Sequence, residues 1–384
     1  MDLIYLDNNA TTKPDPLVVE AMLAVLTESY GNPSSVHRFG QRARHNVDQA
    51  RAQVAGLIGC AESELLLTGG GTEAINTAIR GLLAGRSPRK RIVTTAVEHS
   101  ATRQLCQELA RQGAQIVEIP VDRQGRLDLD EWRAAVDDET ALATAMWANN
   151  ETGVIFPVAA LAEICKSKNV PFHCDGTQAV GKIPVDVKAA GLDAMSLAAH
   201  KFHGPKGAGA LFARRGLRMP PLLIGGPQER GRRGGTENVP GIVGMGKAAE
   251  LAAAALPQMP SVAALRDRLE SGILNAISDT SVNGDIEHRL PNTTNISFSR
   301  LEAEAILLLL SERGLCASAG AACASGSLEP SHVLRAMKIP DPVAHGAVRF
   351  SLSRFTTDAE IDAALSILPG VIERLRKVLP VGGV

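Results

Sequence analysis

Between residues 60 and 215 the chain alternates short apolar runs with amphipathic stretches. ELLLT (64–68), RIVTTAV (91–97), AQIVEIPV (114–121), ALATAMW (141–147), VPFHC (170–174), DAMSLA (193–198) and GAGALFA (207–213) have the length and apolar continuity of buried strands. Helical patterns separate several of them: TEAINTAIRGLLAG follows the first, SATRQLCQELARQG the second, and PVAALAEICKSKN precedes VPFHC. Ser100 is placed to cap the second of these helices and Gly113 to stop it. The alternation predicts an α/β domain with a mainly parallel sheet covered on both faces. Upstream, apolar residues at 36, 39, 43, 47, 50, 54 and 57 keep a helical period.

Past residue 256 the pattern changes. AALRDRLESGILNAI reads as an amphipathic helix, NTTNISFS as a strand, EAEAILLLLSERG as a helix and AVRFSLSRF as a strand. The last helix opens on a capping box, Thr357-x-x-Glu360. These elements predict a smaller α+β domain, joined to the first through the proline-marked LPQMPSV (256–262).

A length of 384 residues suits one large domain with a smaller one. Forty basic residues against 41 acidic give no field of one sign. Nucleic acid and anionic membrane are therefore not expected partners. No run of 18 apolar residues predicts a membrane span, and MDLIYLDNNATT lacks the basic-then-apolar layout of a signal peptide. Six cysteines without CxxC or framework spacing predict free thiols in a reducing, cytoplasmic setting.

In a parallel sheet, ligands gather where strands end. ELLLT runs into GGGTE, RIVTTAV into Glu98-His99, ALATAMW into ANNETG with Asn149 and Asn150, VPFHC into DGTQ with Asp175 and Gln178, and DAMSLA into AHKFHGPKG with His200 and Lys201. Each has an ordinary structural alternative: a tight turn, a satisfied histidine, a helix cap or a solvated lysine. GGGTE matches neither a dinucleotide fingerprint nor a P-loop, but a glycine turn feeding a helix start is an anion site. Lys201 lies among glycines and small apolar residues with little other charge, a setting that lowers an amine's pKa. Together, an anion site, a carboxylate, an imidazole and a poorly solvated lysine point to pyridoxal phosphate. The lysine would form the Schiff base, the helix start would hold the phosphate, and the carboxylate would keep the pyridine nitrogen protonated. A metal site through HCD (173–175) is not expected, because alternate strand residues face opposite sides.

One further cysteine stands apart. Cys323 lies in AGAACASGSLEPSH, among small residues that give a thiol nothing to pack against. By contrast Cys60, Cys106, Cys165, Cys174 and Cys316 sit in or beside apolar elements and read as packing residues.

The blocks YLDNNATT, GNPSSVHRFG, VEHSA, NNETGV, DGTQAVGK, HKFHGPKG, GPQERGRRGGTEN, ACASGSLEPSHVLRAM and RFSLSRFTT resemble cysteine desulfurases of the NifS/IscS type. The resemblance spans residues 5 to about 375. The SGSLEPSHV continuation resembles the group with a long cysteine loop, and within it the nitrogen-fixation NifS branch. The resemblance implies the PLP-dependent transferase fold (aspartate-aminotransferase-like, fold type I). A large domain with a mainly parallel seven-stranded sheet (15–255) would carry the cofactor, and residues 1–14 with 256–384 would form the small α+β domain.

It implies residue roles as well. Lys201 would carry the Schiff base, His99 would stack on the ring as acid and base, Asp175 would face the pyridine nitrogen, and Gln178 the phenolic oxygen. Asn150 would lie beside ring and substrate. Gly71, Thr72 and His200 would hold the phosphate, with Thr236 reaching it from the other subunit of a homodimer. Arg349 would grip the substrate carboxylate. Cys323 would take sulfur from L-cysteine as a persulfide, leaving L-alanine, and pass it to an iron–sulfur scaffold protein. Ala198 departs from the family, which usually has a hydroxyl or thiol residue there. A selenocysteine lyase or another PLP-dependent transferase is the nearest alternative. A noncatalytic sulfur- or metal-binding module is a more distant one.

Overall fold

The computed structural model describes residues 3–86, 88–319 and 329–378. Strand β1 (Ile4–Tyr5) comes first and is set apart from the main sheet. That sheet is built by β2 (Leu65–Thr68), β3 (Arg91–Thr95), β4 (Gln115–Ile119), β5 (Thr140–Met146), β6 (Phe172–Asp175), β7 (Ala194–Ala198) and β8 (Gly209–Ala213). Their spatial order is β2-β8-β7-β6-β5-β3-β4, and β8 alone runs antiparallel to its neighbours. All seven coincide with the apolar runs of the sequence to within two or three residues at each end. β5 is buried along its whole length, as a central strand covered on both faces requires. After β4 the order of strands turns back: β5, β6 and β7 are laid down on the other side of β3. Ligands of open α/β sheets collect at such a reversal, by the carboxyl ends of the strands.

The upstream helix spans Arg38–Ile58 and buries Ala43, Val47, Ala50, Val54 and Leu57. Val36, which shares their spacing, precedes the first turn and is exposed. The helix ends at Gly59, whose φ of 73° is the left-handed conformation that glycine takes without strain. Helix Val239–Ala255 lies directly on it, and a Cβ at Gly246 would come within 2.5 Å of Ala50 Cα. Glycine there lets the two backbones meet.

The expected joint at 256–262 is helical. A 3-10 turn, Leu256–Gln258, links Val239–Ala255 to helix Met259–Ala276, and the prolines fall in first turns where no N–H is missed. The whole run from Val239 to Ala276 is long and apolar enough to cross a membrane by length and composition. Yet 56% of its most apolar window is buried inside the fold.

The remaining strands are β9 (Thr280–Val282), β10 (Thr293–Phe298), β11 (Leu315–Cys316) and β12 (Ala347–Ser351). β12-β10-β9 form an antiparallel sheet, and β1 pairs in parallel with β11. Ile4 and Leu6 therefore share a second core with Leu269, Phe298, Phe350 and Leu368. Val333, Leu334 and Met337 pack instead into the core of the main sheet. The capping box of helix Asp358–Val378 is present: Thr357 N–H donates to Glu360 Oε2 at 2.7 Å, and Glu360 N–H to Thr357 Oγ1 at 3.3 Å.

Candidate active site

A cavity of about 260 Å³ opens at the carboxyl ends of β3, β5, β6 and β7. Its lining includes Lys201, Asp175, His99, Gln178, Asn150 and His200 from strand ends, and Gly71 and Thr72 from the helix after β2. Eight of the residues singled out by sequence are thus brought to one place. Arg349 lies just outside the lining, tied to it by a 2.9 Å bond from Nη1 to the Asn150 carbonyl. Thr236 is in an exposed loop and lines no part of this cavity. Cys323 falls outside the described residues. The chain on either side of that stretch is fixed against the site. Ser318 and Arg349 exchange backbone hydrogen bonds, Ser331 Oγ donates to Glu151 Oε2 at 2.5 Å, and His332 Nε2 bonds the Glu98 carbonyl at 2.9 Å.

Helix Gly71–Ala84 starts at Gly70 with no side chain capping it. Its first N–H groups therefore face the cavity with their partial positive charge. A Cβ at Gly71 would sit 3.3 Å from Thr177 Oγ1 and 3.4 Å from Ala198 Cβ, so any side chain there would take up space in the cradle that glycine leaves to a ligand. Thr177 Oγ1 is buried and has no hydrogen-bond partner among the described residues. An uncapped helix end, a glycine cradle and an orphaned hydroxyl fit an anionic group.

Lys201, in the 3-10 turn Ala199–Lys201 after β7, donates from Nζ to the carbonyls of Asn9 at 2.5 Å and Ala10 at 2.8 Å. Asp175, on the neighbouring strand, is buried, and its Oδ1 accepts from Thr177 N–H at 3.0 Å.

His99, not Ser100, caps helix Ser100–Arg111: its Nδ1 accepts from Ala101 N–H at 3.1 Å. The imidazole serves because its ring nitrogen reaches the free N–H as a serine oxygen would. That bond leaves the proton of the neutral ring on Nε2. Burial holds His99 below the usual histidine range, with Lys201 adding to the effect and Asp175 opposing it. His200 is pushed down to about 4, by burial first and then by Lys201, Lys206 and Lys182.

Beside His99, Glu98 is fully buried. Its Oε1 accepts from Thr95 Oγ1 at 2.7 Å and Met146 N–H at 3.0 Å, and Oε2 has no partner among the described residues. Burial pushes its carboxyl up to about 8.

The five described cysteines are free thiols raised by burial, Cys60, Cys106 and Cys165 to about 12. None is poised as a thiolate. Both ring nitrogens of His173 are taken by hydroxyls, Thr144 Oγ1 and Ser196 Oγ, each at 2.8 Å, which leaves no lone pair for a metal.

Several site residues were not singled out in the sequence. Asn9 supplies an acceptor to Lys201, and Thr177 and Lys182 flank Gln178. The apolar setting of Lys182 in QAVGKIPV is a signal of burial that could have marked it.

This fold, with a lysine and an aspartate on adjacent strand ends below an uncapped helix, defines a pyridoxal-phosphate enzyme of the aspartate-aminotransferase-like, fold-type I class. The chain belongs to the Aminotransferase class-V family, which it matches over residues 4–364. Members use pyridoxal phosphate bound as a Schiff base to a lysine. It is 54% identical to "Cysteine desulfurase 2" of Trichormus variabilis over 99% of this chain and 96% of that one. With "Cysteine desulfurase NifS" of Azotobacter vinelandii it shares 50% identity over 98% and 94%. Among solved structures, one described as a NifS-like protein superposes with a TM-score of 0.91. It is 38% identical and covers 98% of this chain and 100% of that one.

Proposed function

We propose that this chain is a cysteine desulfurase that converts L-cysteine to L-alanine and keeps the sulfur as a persulfide on Cys323. The observation that carries the reading is that Lys201 and Asp175 line one cavity on adjacent strands, under the uncapped start of helix Gly71–Ala84. Pyridoxal phosphate, when bound, supplies an aldehyde that condenses with amines and a protonated ring that accepts the electron pair released at Cα. Lys201 would hold it covalently, Gly71, Thr72 and His200 its phosphate, Asp175 its ring nitrogen, and Gln178 its phenolic oxygen. Asn150 would lie beside ring and substrate, and Arg349 would bind the substrate carboxylate.

The chain's own groups divide the work. Lys201 Nζ, as a free amine, would take the Cα proton of the substrate. His99 would lie against the ring, and its Nε2–H is a proton donor toward the cavity. The Cys323 thiolate attacks the substrate sulfur: an S–S bond forms, the C–S bond breaks with its electron pair left on carbon, and the skeleton takes a proton at Cβ and regains one at Cα to leave as L-alanine. The anchoring of Ser318 on Arg349 and of His332 on Glu98 supports delivery of this segment to the site.

Residues 15–255 serve as the cofactor-binding domain, and 1–14 with 256–384 as the smaller one. The exposed apolar residues Leu23, Leu26, Tyr30 and Ile224 support a homodimer, in which Thr236 would reach the partner's phosphate site. An iron–sulfur scaffold protein of the cytoplasm, in nitrogen fixation, is the proposed sulfur acceptor.

The test is alanine formation from L-cysteine with a reductant, in wild type and Cys323→Ala. Turnover lost in the variant while the yellow cofactor colour remains supports the reading. Equal turnover removes the persulfide role and favours a selenocysteine lyase or another transferase.

A further inference from the structure

Lys182 is a buried amine that this chemistry does not use. It lies one turn past Gln178, with 6% of its surface exposed. Nζ donates to Gln178 Oε1 at 2.5 Å and to Asn9 Oδ1 at 3.2 Å, and no carboxylate pairs with it among the described residues. A buried amine served only by neutral acceptors is a costly way to fill space, since methionine would fill the same volume without a polar head. Burial, with Lys201 and Arg349 nearby, holds its pKa well below the usual lysine range.

Gln178 explains the placement. Its Nε2 donates to the Asn9 carbonyl at 3.1 Å, and that carbonyl can only accept. Its Oε1 is taken by Lys182. The amide can then offer the cavity one thing, its second N–H. Asn9 is itself immobilised: its backbone N–H donates to Ser351 Oγ at 2.9 Å and its Nδ2 to Thr293 Oγ1 at 2.9 Å. Asn292 Nδ2 joins Lys182 on Asn9 Oδ1 at 3.1 Å.

We propose that Lys182 is a positioning residue that fixes the Gln178 amide with its NH2 group toward the phenolic oxygen of the cofactor. A flipped amide would set oxygen against the Asn9 carbonyl and nitrogen against Lys182, two contacts of like polarity. The proposal rests on the pyridoxal phosphate reading of this cavity.

A donor at the phenolic oxygen favours its anionic form and so lowers the pKa of the Schiff base on Lys201. The test is a spectrophotometric pH titration of that Schiff base in the holoenzyme. Lys182→Met should raise its pKa by about one unit, a tenfold gain in proton affinity. Loss of a nearby cation would act in the same direction, so the measurement is repeated in a Gln178→Ala background. There the shift from Lys182→Met should fall below half its size, because the amide it acts through is gone. Lys182→Gln keeps a donor for Oε1 without the amine's charge and should shift clearly less than Lys182→Met, by the part owed to the lost charge alone. That variant also covers a failure of Lys182→Met to fold. Equal shifts with and without Gln178, no shift at all, or Lys182→Gln behaving as Lys182→Met would each overturn the lock. A wild type with no Schiff-base band would instead remove the cofactor reading beneath it.

Discussion

The guanidinium of Arg349 is shared between two parts of the fold. Nη2 donates to Asp7 Oδ1 at 2.8 Å, Nη1 to the Asn150 carbonyl, and the buried Nε has no partner among the described residues. A fork held this way is aimed before any substrate arrives, with three of its five N–H donors, Nε–H among them, not engaged by the described residues. Arg349→Lys keeps the charge but loses the planar fork. It should raise KM for L-cysteine about 10–100-fold, the worth of one or two charge-assisted hydrogen bonds, with a smaller change in kcat. Steady-state kinetics across L-cysteine concentration decide it, and an unchanged KM would take Arg349 out of substrate binding.

His99 has two roles that one substitution can separate. As a helix cap it needs only an acceptor, which asparagine provides. As a proton donor it needs the imidazole. His99→Asn should leave the melting temperature within about 2 °C of wild type, as a conserved cap requires, and lower kcat by about 10²–10⁴-fold. Calorimetry and turnover on the same preparation measure both, and equal turnover would end the acid–base role.

Gly71 is the floor of the anion cradle. Gly71→Ala puts a methyl group 3.3 Å from Thr177 Oγ1 and 3.4 Å from Ala198 Cβ, in the space where a phosphate would meet the helix start. Alanine is the better helix residue, so folding should not suffer. Pyridoxal phosphate should bind about tenfold more weakly or worse, the loss of roughly one charge-assisted hydrogen bond. Reconstitution of apoprotein followed by absorbance gives the affinity, and wild-type binding would move the phosphate elsewhere.

Glu98 makes stability fall as pH rises. Its carboxyl titrates near 4.5 when exposed and is pushed up to about 8 in the fold. Between those values the folded state holds the proton and the unfolded state does not, so this group's stabilisation is complete below about 4.5 and lost toward 8. The loss is on the order of 4 kcal/mol across that window. Glu98→Gln mimics the protonated group and should abolish this slope, so the variant is the more stable protein at pH 8 and comparable near pH 5. Denaturant unfolding at the two pH values checks it, and parallel stabilities would show an ionised Glu98.

Much of this was legible from residue pattern alone, because buried strands must be apolar and ligand-binding residues must follow them. Seven apolar runs are the seven strands of the sheet, and the polar residues after five of them line or adjoin one cavity. The local rule failed where a side chain took an unusual part. Ser100 is the ordinary cap residue, yet His99 caps, because an imidazole can accept through Nδ1 and still face the cavity. The antiparallel run of β8 has no signature, since its neighbours set direction and its composition does not. Asn9 escaped notice because its partners lie far off in sequence: it meets Thr293 and Ser351, and no spacing rule reaches that distance. Lys182 escaped because its contact with Gln178 is local but its contact with Asn9 is not.

The position of Asn9 also sets a schedule. Its carbonyl accepts from Lys201, but its own supports are β12 and β10, and Asn9 N–H bonds a serine 342 positions downstream. The segment around Asn9 is therefore placed only after residues 293 and 351, made later, are available. A nascent chain that has already formed the main sheet still lacks the acceptors that seat its reactive lysine. The cofactor pocket is completed only once residue 351 has been made, so the segment around Asn9 acts as a latch that a product truncated before that point cannot close.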